Sequence, residues 1–326
     1  MQRMTFKLYP VEVMEKHAEM LGNRVKKNFK ALSKKFEKDN VTAFRLYNID
    51  IPEVRAVVDW YAGHVILGEY VREQTDHDRY LELLSASVAA ALEIPLENVH
   101  IRRRTTRPHE GDRYARLART NETMEVAEGD LKFLVNLDDF LDVGLFTDHR
   151  VTRGIIRDLV KGKRFLNLFA YTGAFSVYAA KGEAKSVTTV DMSRRYIDWA
   201  KENMELNGLV GSCRQEWSSN EVRTFLEHAS LAKNMWDVIF LDPPSFSTRE
   251  GMEPFDVLYD HRSLVESTLA VLEKGGVLFF STNHQRFEPD LDGLISATCT
   301  EVTSRTIPVD YKGKTPHRLF QIVKHK

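Results

Sequence analysis

From Lys163 onward, short apolar runs alternate with segments of helical periodicity. The pattern predicts strands at 164–169, 186–191, 236–241 and 276–281, with helices near 174–181, 194–207, 219–228 and 260–273. Alternation of this kind implies a parallel sheet with crossover helices. Its focus is Phe165-Leu166-Asn167-Leu168-Phe169-Ala170-Tyr171-Thr172-Gly173-Ala174-Phe175. An apolar run headed by Arg164 enters a small turn at Tyr171-Thr172-Gly173, and an apolar helical segment follows (Phe175, Val177, Tyr178, Ala180). In an open parallel sheet, ligands bind where strands end at their carboxyl side. The turn would bring backbone N–H groups and the positive end of the helix dipole near such a ligand. The same turn can also be purely structural.

The tail departs from this rhythm. Residues 299–307 and 318–323 are two β-rich runs about the turn 310–315, which predicts an antiparallel pair closing one edge. The chain before Lys163 differs again. Residues 11–39 read as one long helix, with Val13, Met14, His17, Met20, Leu21 and Val25 at three- and four-residue spacing. Its second half is basic. Short β-rich runs follow between 43 and 71, then a helix over 78–92 and a strand at 99–102. Arg102, Arg103, Arg104 and Arg107, then Arg113, Arg116 and Arg119, form a second basic region that reads as a mobile loop. Alternation over 122–137 predicts a β-hairpin turning at Gly129. These shifts divide the chain into a basic helix (1–40), a small α+β domain (41–120), a hairpin and connector (121–150) and the alternating domain (151–326).

The net charge of −1 selects no partner by itself, so local charge carries that argument. Arg24, Lys26, Lys27 and Lys30, with Arg102, Arg103 and Arg104, are candidate RNA-binding residues, because clustered Lys/Arg is the electrostatic footprint of nucleic-acid binding. A solvated helix face is the alternative for the first group. Only two cysteines occur, Cys213 and Cys299, without metal-ligand spacing. Neither a disulfide framework nor a metal is expected, and a cytoplasmic setting follows. No apolar run approaches membrane-helix length, so no membrane association is expected.

Two acids carry the chemistry. Asp191 ends the run Val187-Thr188-Thr189-Val190, about twenty residues past the Gly173 turn, where an acid can accept hydrogen bonds from ribose hydroxyls. It can also serve as a helix cap with Ser193. The turn lacks the G-x-G-x-x-G glycines that let backbone approach a pyrophosphate. That argues against an NAD oxidoreductase and for a nucleoside without a diphosphate, such as S-adenosylmethionine. Asp242 ends the strand at 236–241 in Asp242-Pro243-Pro244-Ser245-Phe246. The prolines stop the strand and stiffen the turn, and Phe246 is placed to stack on a flat base.

With these residues the chain resembles the class I S-adenosylmethionine-dependent methyltransferases, whose fold is a Rossmann-like α/β domain. The resemblance narrows to the RlmK half of the bacterial ribosomal RNA methyltransferases RlmKL. It is carried by Gly144-Leu145-Phe146-Thr147-Asp148-His149-Arg150, Thr188-Thr189-Val190-Asp191-Met192-Ser193, Phe255-Asp256-Val257, Asn23-Arg24-Val25-Lys26-Lys27-Asn28 and Arg45-Leu46-Tyr47. It implies a mostly parallel sheet with an antiparallel edge strand, a smaller α+β domain before it, and N7-methylation of a guanine in 23S rRNA, free or in an assembling large subunit. Without the other half, the chain resembles a free-standing RlmK, whose N2-guanine counterpart would be a separate partner.

The resemblance implies that Asn167, Phe169, Ala170, Tyr171, Thr172 and Gly173 surround the methionine and ribose, with Asp191 and Met192 at the ribose hydroxyls. Asn220 or Glu221 approaches the adenine. Asp148 and Arg150 reach the methionine end, or instead brace the hairpin as an ion pair. His317 matches a family position near the pocket, or is a plain loop histidine. On the substrate side, Phe246 stacks on a flipped guanine while Asp242, rigidified by Pro243, and Asn283 hold its edge; Asp242 also belongs to the residues expected to bind the cofactor. Covalent cytosine-C5 chemistry, the alternative activity, needs a cysteine near 280–285, and none stands there. A non-enzymatic RNA-binding assembly factor is the remaining alternative.

Overall fold

The computed structural model describes residues 8–104, 117–248 and 253–325; Arg107, Arg113 and Arg116 lie outside them. The chain divides into two units, Met1–Asp130 with Val135–Val143, and Leu131–Leu134 with Gly144–Lys326.

The first unit begins with α1 (Val11–Lys38), which buries Met14, Ala18, Leu21 and Val25, one stripe at helical spacing. Strands β1 (Ala43–Asn48), β2 (Ala56–Tyr61) and β3 (His64–Tyr70) pair antiparallel in succession. Helix α2 (Asp78–Leu92) then carries the chain to β4 (Val99–Arg104), which lies parallel to β3. Leu21, Val25, Leu46, Val58, Leu67, Leu84 and Val88 share one core. Arg102 lies in β4 as expected, and Arg103 and Arg104 extend that strand past 102, because Glu69 and Tyr70 of β3 pair with them. Gly129, at φ 68°, turns between β5 (Met124–Glu128) and β6 (Leu131–Val135).

The second unit is built on alternation. Helix α3 (Arg150–Leu159) precedes β7 (Arg164–Leu168), and α4 (Ala174–Lys181), β8 (Ser186–Val190), α5 (Arg194–Leu206), β9 (Arg214–Ser218), α6 (Val222–Leu231) and β10 (Trp236–Leu241) follow in turn. After the short pair β11 (Phe246–Ser247) and β12 (Phe255–Asp256) come α7 (Val257–Ala270), β13 (Leu272–Thr282), β14 (Ala297–Glu301) and β15 (Arg318–Lys324). The sheet order is β14-β15-β13-β10-β7-β8-β9. Its five strands β13, β10, β7, β8 and β9 are parallel, and β15 and β14 close one edge antiparallel.

Capping side chains move two helices from their expected positions. Glu221 accepts Thr224 N–H at 2.8 Å and starts α6 at Val222, while Asp256 accepts Leu258 N–H at 2.9 Å and starts α7 at Val257. The first tail strand is shorter than 299–307, since pairing with β15 ends at Glu301 and Thr303–Arg305 coils into a 3-10 turn. Leu166, Leu168, Val190, Ile239, Leu241, Leu278 and Phe280 form the buried centre. At the amino ends of the strands, Arg164 bonds Asp237 and Glu273 at 2.8–3.0 Å, tying β7, β10 and β13 in register.

Candidate active site

Register decides what meets at the other end of the sheet. Leu168 stands beside both Val190 and Leu241, and Leu241 stands beside Phe280. The residues after these strands therefore emerge side by side: 169–173 after β7, Asp191 after β8, Asp242–Phe246 after β10 and Asn283 after β13. Strand order runs outward in opposite directions from β7 and β10, and such a switch point leaves a crevice for a ligand.

Asp191 is held from two sides. Its Oδ2 accepts Tyr171 N–H at 2.9 Å and its Oδ1 accepts Ser193 N–H at 2.8 Å. Burial pushes its carboxyl up to about 6, a shift that those two N–H groups only partly offset. A carboxylate has about four acceptor sites, so two remain for the paired hydroxyls of a ribose. That donor chemistry fits a nucleoside cofactor. Met192 is exposed beside it.

The turn works differently from expectation. Ala170 N–H is taken by Val190 O, Tyr171 N–H by Asp191 and Gly173 N–H by Ala170 O, so these donors are spent inside the protein. Thr172 is buried, its hydroxyl donating to Gly144 O at 2.6 Å and its own carbonyl accepting from Asn203 Nδ2 at 2.9 Å. Phe169, Tyr171 and Gly173 all have positive φ (54°, 50° and 72°), which coils the chain tightly. A Cβ on Gly173 would stand 2.5 Å from Ala200 Cβ, so this glycine admits helix α5 to the turn. Asn167 is a correction: its side chain is buried and donates to Ser176 Oγ at 3.0 Å, within a network continuing to Thr189. It braces β7, α4 and β8 and does not face the crevice.

On the substrate side, Asp242 is partly exposed, Pro243 is buried and Phe246 is 45% exposed. Ser245 Oγ donates to Asn283 Oδ1 at 2.7 Å. That bond fixes the amide, leaving Asn283 to present its Nδ2 donor. Of the two residues expected near an adenine, Glu221 is committed to capping α6 and to Arg223 at 3.1 Å, whereas Asn220 is exposed.

Asp148 and Arg150 find partners in the tail: Asp148 Oδ2 accepts from His317 Nδ1 at 3.0 Å, and Arg150 Nη1 donates to Asp310 at 3.0 Å. His317 is therefore no plain loop residue. It is buried, bonded to Thr306 Oγ1 through Nε2 and stacked on His149 with centroids 4.1 Å apart. His149, which sequence reasoning passed over, lies with Nε2 at 3.5 Å from Asp242 Oδ2. The signal was present in three consecutive ionisable residues, Asp148-His149-Arg150, before an amphipathic helix. Phe146, exposed and 5.2 Å from the Tyr171 ring, was missed likewise. Asp148, His149 and His317 bring ligand atoms within 4.8 Å of one another, yet the rings lie 20° from parallel. Their in-plane lone pairs do not converge, so the arrangement suits a proton network better than a metal ion.

Of the basic residues, Lys26, Lys27 and Lys30 are exposed on α1. Arg24 lies 3.8 Å from Asp50. Arg102 is a correction: it is buried, its guanidinium donating to Leu137 O and Ile101 O, so a phosphate cannot reach it. Arg103 is paired with Asp76 and Asp78, which a phosphate would have to displace. Arg104 belongs to β4.

A family model described as S-adenosylmethionine-dependent methyltransferase matches residues 51–312. The chain is 42% identical over 311 residues to the ribosomal RNA large subunit methyltransferase K/L of Allochromatium vinosum, which covers 93% of this chain and 42% of that protein. The protein of the same name from Vibrio cholerae O395 is 38% identical over 310 residues, covering 92% and 43%. The chain thus spans about two-fifths of the length of the curated relatives it matches. Among solved structures, SMU.776 complexed with SAH matches with a TM-score of 0.71 at 24% identity, covering 93% of this chain and 81% of that one, a likeness of fold.

Proposed function

The chain belongs to the S-adenosylmethionine-dependent methyltransferase family, and from that premise we propose that it methylates guanine N7 in large-subunit ribosomal RNA. Relatives named ribosomal RNA large subunit methyltransferase K/L support the substrate class. The observation that carries the position on the base is an oriented Asn283 after β13, the strand beside the one that Asp242 follows, in a segment without cysteine. With Oδ1 taken by Ser245, Asn283 offers a donor to guanine O6, the acceptor next to N7. Asp242 accepts from the guanine N–H edge, and Phe246 covers the ring face.

Held by Asp191 and the 169–173 turn, the cofactor would supply an electrophilic methyl to the N7 lone pair, its sulfonium sulfur keeping the electrons of the broken S–C bond, so that positive charge would pass to the base. No proton has to leave N7, and the protein's task is to align and to stabilise. Asp191 would hold the ribose and Asn220 the adenine, and the Asp242 carboxylate would favour the charge arriving on the base. The cysteines tell against cytosine-C5 chemistry. Burial raises both thiols, with Cys299 pushed up to about 11, so neither is an available thiolate.

The test is nucleoside mass spectrometry of ribosomal RNA from cells lacking the gene, before and after treatment with the purified protein and S-adenosylmethionine. We expect 7-methylguanosine to appear only after treatment, and Asp242→Ala to abolish it while the protein keeps its melting temperature. Methylation of cytosine, or full activity in Asp242→Ala, would overturn the assignment.

A further inference from the structure

We propose that His149 is a positioning residue for methyl transfer, fixing the Asp242 carboxylate where it meets the substrate base. The inference rests on the role given to Asp242 above. His149 closes the short turn Thr147–His149 that leads into α3. Its Nε2 lies 3.5 Å from Asp242 Oδ2 and 3.5 Å from Ser281 Oγ, so it meets residues from the ends of both β10 and β13. Phe175 and Phe240 pack edge-on at 5.7 Å each, and His317 covers one face.

A phenylalanine would fill this slot without polar atoms, whereas the imidazole keeps Nδ1 buried with no hydrogen-bond partner. A buried polar atom left unpaired is destabilising, so packing alone gives no reason for a histidine here. Charge gives one. The ionisable groups facing the ring are Asp148, Asp242, Arg153 and His317. Burial pulls the imidazole's pKa down, but the two carboxylates outweigh burial and Arg153, and the net shift is upward. His317 moves the opposite way, lowered by burial and by the charge of His149. His317 donates from Nδ1 to Asp148, and its Nε2 stands 3.2 Å from the Thr306 hydroxyl. The stack thus keeps beside Asp242 the imidazole whose protonation the two carboxylates favour.

The consequence is a pH dependence that the chemistry itself does not supply, because neither guanine N7 nor the sulfonium methyl exchanges a proton near neutrality. Turnover is present while His149 is charged and falls as pH rises through its value above 6.5.

The experiment compares the wild-type chain with His149→Phe and His149→Gln. For Phe, kcat drops about 10- to 100-fold, as expected for a displaced catalytic group, while KM for S-adenosylmethionine changes by less than about 3-fold on that same positioning argument. Gln, a neutral donor, recovers part of kcat and loses the alkaline limb. Imidazole NMR adds a readout free of turnover: the His149 titration lies above 6.5 in the wild type and falls in Asp242→Asn. Wild-type kcat in His149→Phe, an unchanged limb in His149→Gln, or a His149 titration indifferent to Asp242→Asn would each overturn the proposal. Methylation found away from guanine N7, with the NMR coupling intact, would sink the guanine reading and leave this one standing.

Discussion

The Asp191 carboxylate accepts the backbone N–H of Tyr171 at 2.9 Å, joining the end of β8 to the turn after β7. One side chain thereby sets the shape of the turn and offers its remaining lone pairs to a ligand. The same burial that positions it pushes its carboxyl up to about 6. An acid whose folded value lies above its unfolded one is a liability when charged, so the empty fold is more stable with Asp191 protonated and loses that gain as pH rises through about 6.

Cofactor binding should run the other way, since the ribose hydroxyls need a charged acceptor. Calorimetric titration with S-adenosylmethionine between pH 5 and 7, roughly below the α-amino range, should show affinity weakening as pH falls past 6. Asp191→Asn should weaken binding about 10- to 100-fold and flatten this profile. Its melting temperature at pH 7.5 should not rise, because the amide nitrogen cannot accept the second backbone N–H and that loss offsets the relief of a buried charge. Affinity that stays flat with pH in the wild type would refute the assignment.

Gly173→Ala should damage the fold before the chemistry. The residue sits at φ 72°, and an added methyl would stand 2.5 Å from Ala200 Cβ. Left-handed strain and overpacking together predict a loss of about 2–4 kcal/mol, measurable by denaturant unfolding. Helix α5 would retreat, loosening the Asn203 bond to Thr172. An alanine variant of wild-type stability would show that α5 adjusts freely.

Charge on α1 and charge on β4 should separate in an RNA-binding assay. Replacing Lys26, Lys27 and Lys30 together by alanine should leave the melting temperature unchanged and flatten the salt dependence of RNA affinity by about 2 in log–log slope. Arg102→Ala should instead cost about 2 kcal/mol of stability, because the buried Leu137 carbonyl and the part-buried Ile101 carbonyl lose a charged donor. RNA affinity of the folded variant should be unaltered. A reversed outcome, with Arg102 governing affinity, would undo the distinction drawn from burial.

The sequence by itself determined the alternating sheet and the places where ligand-facing residues leave it. Apolar runs, glycine and proline breaks and acids at strand ends are local signals, written within a few residues of where they act. The strand ends at the 169–173 turn, Asp191 and Asp242 were legible for that reason, and so was the antiparallel edge. Tertiary structure alone decided which polar groups are spent. Asn167 and Arg102 carry the right chemistry in the right stretch, but burial turns their donors onto Ser176 and Leu137. Glu221 and Asn220 are neighbours in the chain, and only the cap on α6 tells them apart. His149 and His317 are far apart in sequence, and no spacing rule relates them. They stack because β15 returns antiparallel beside β13. Burial and long-range contact depend on the whole sheet being assembled, and so the imidazole beside Asp242 could be read only from the fold.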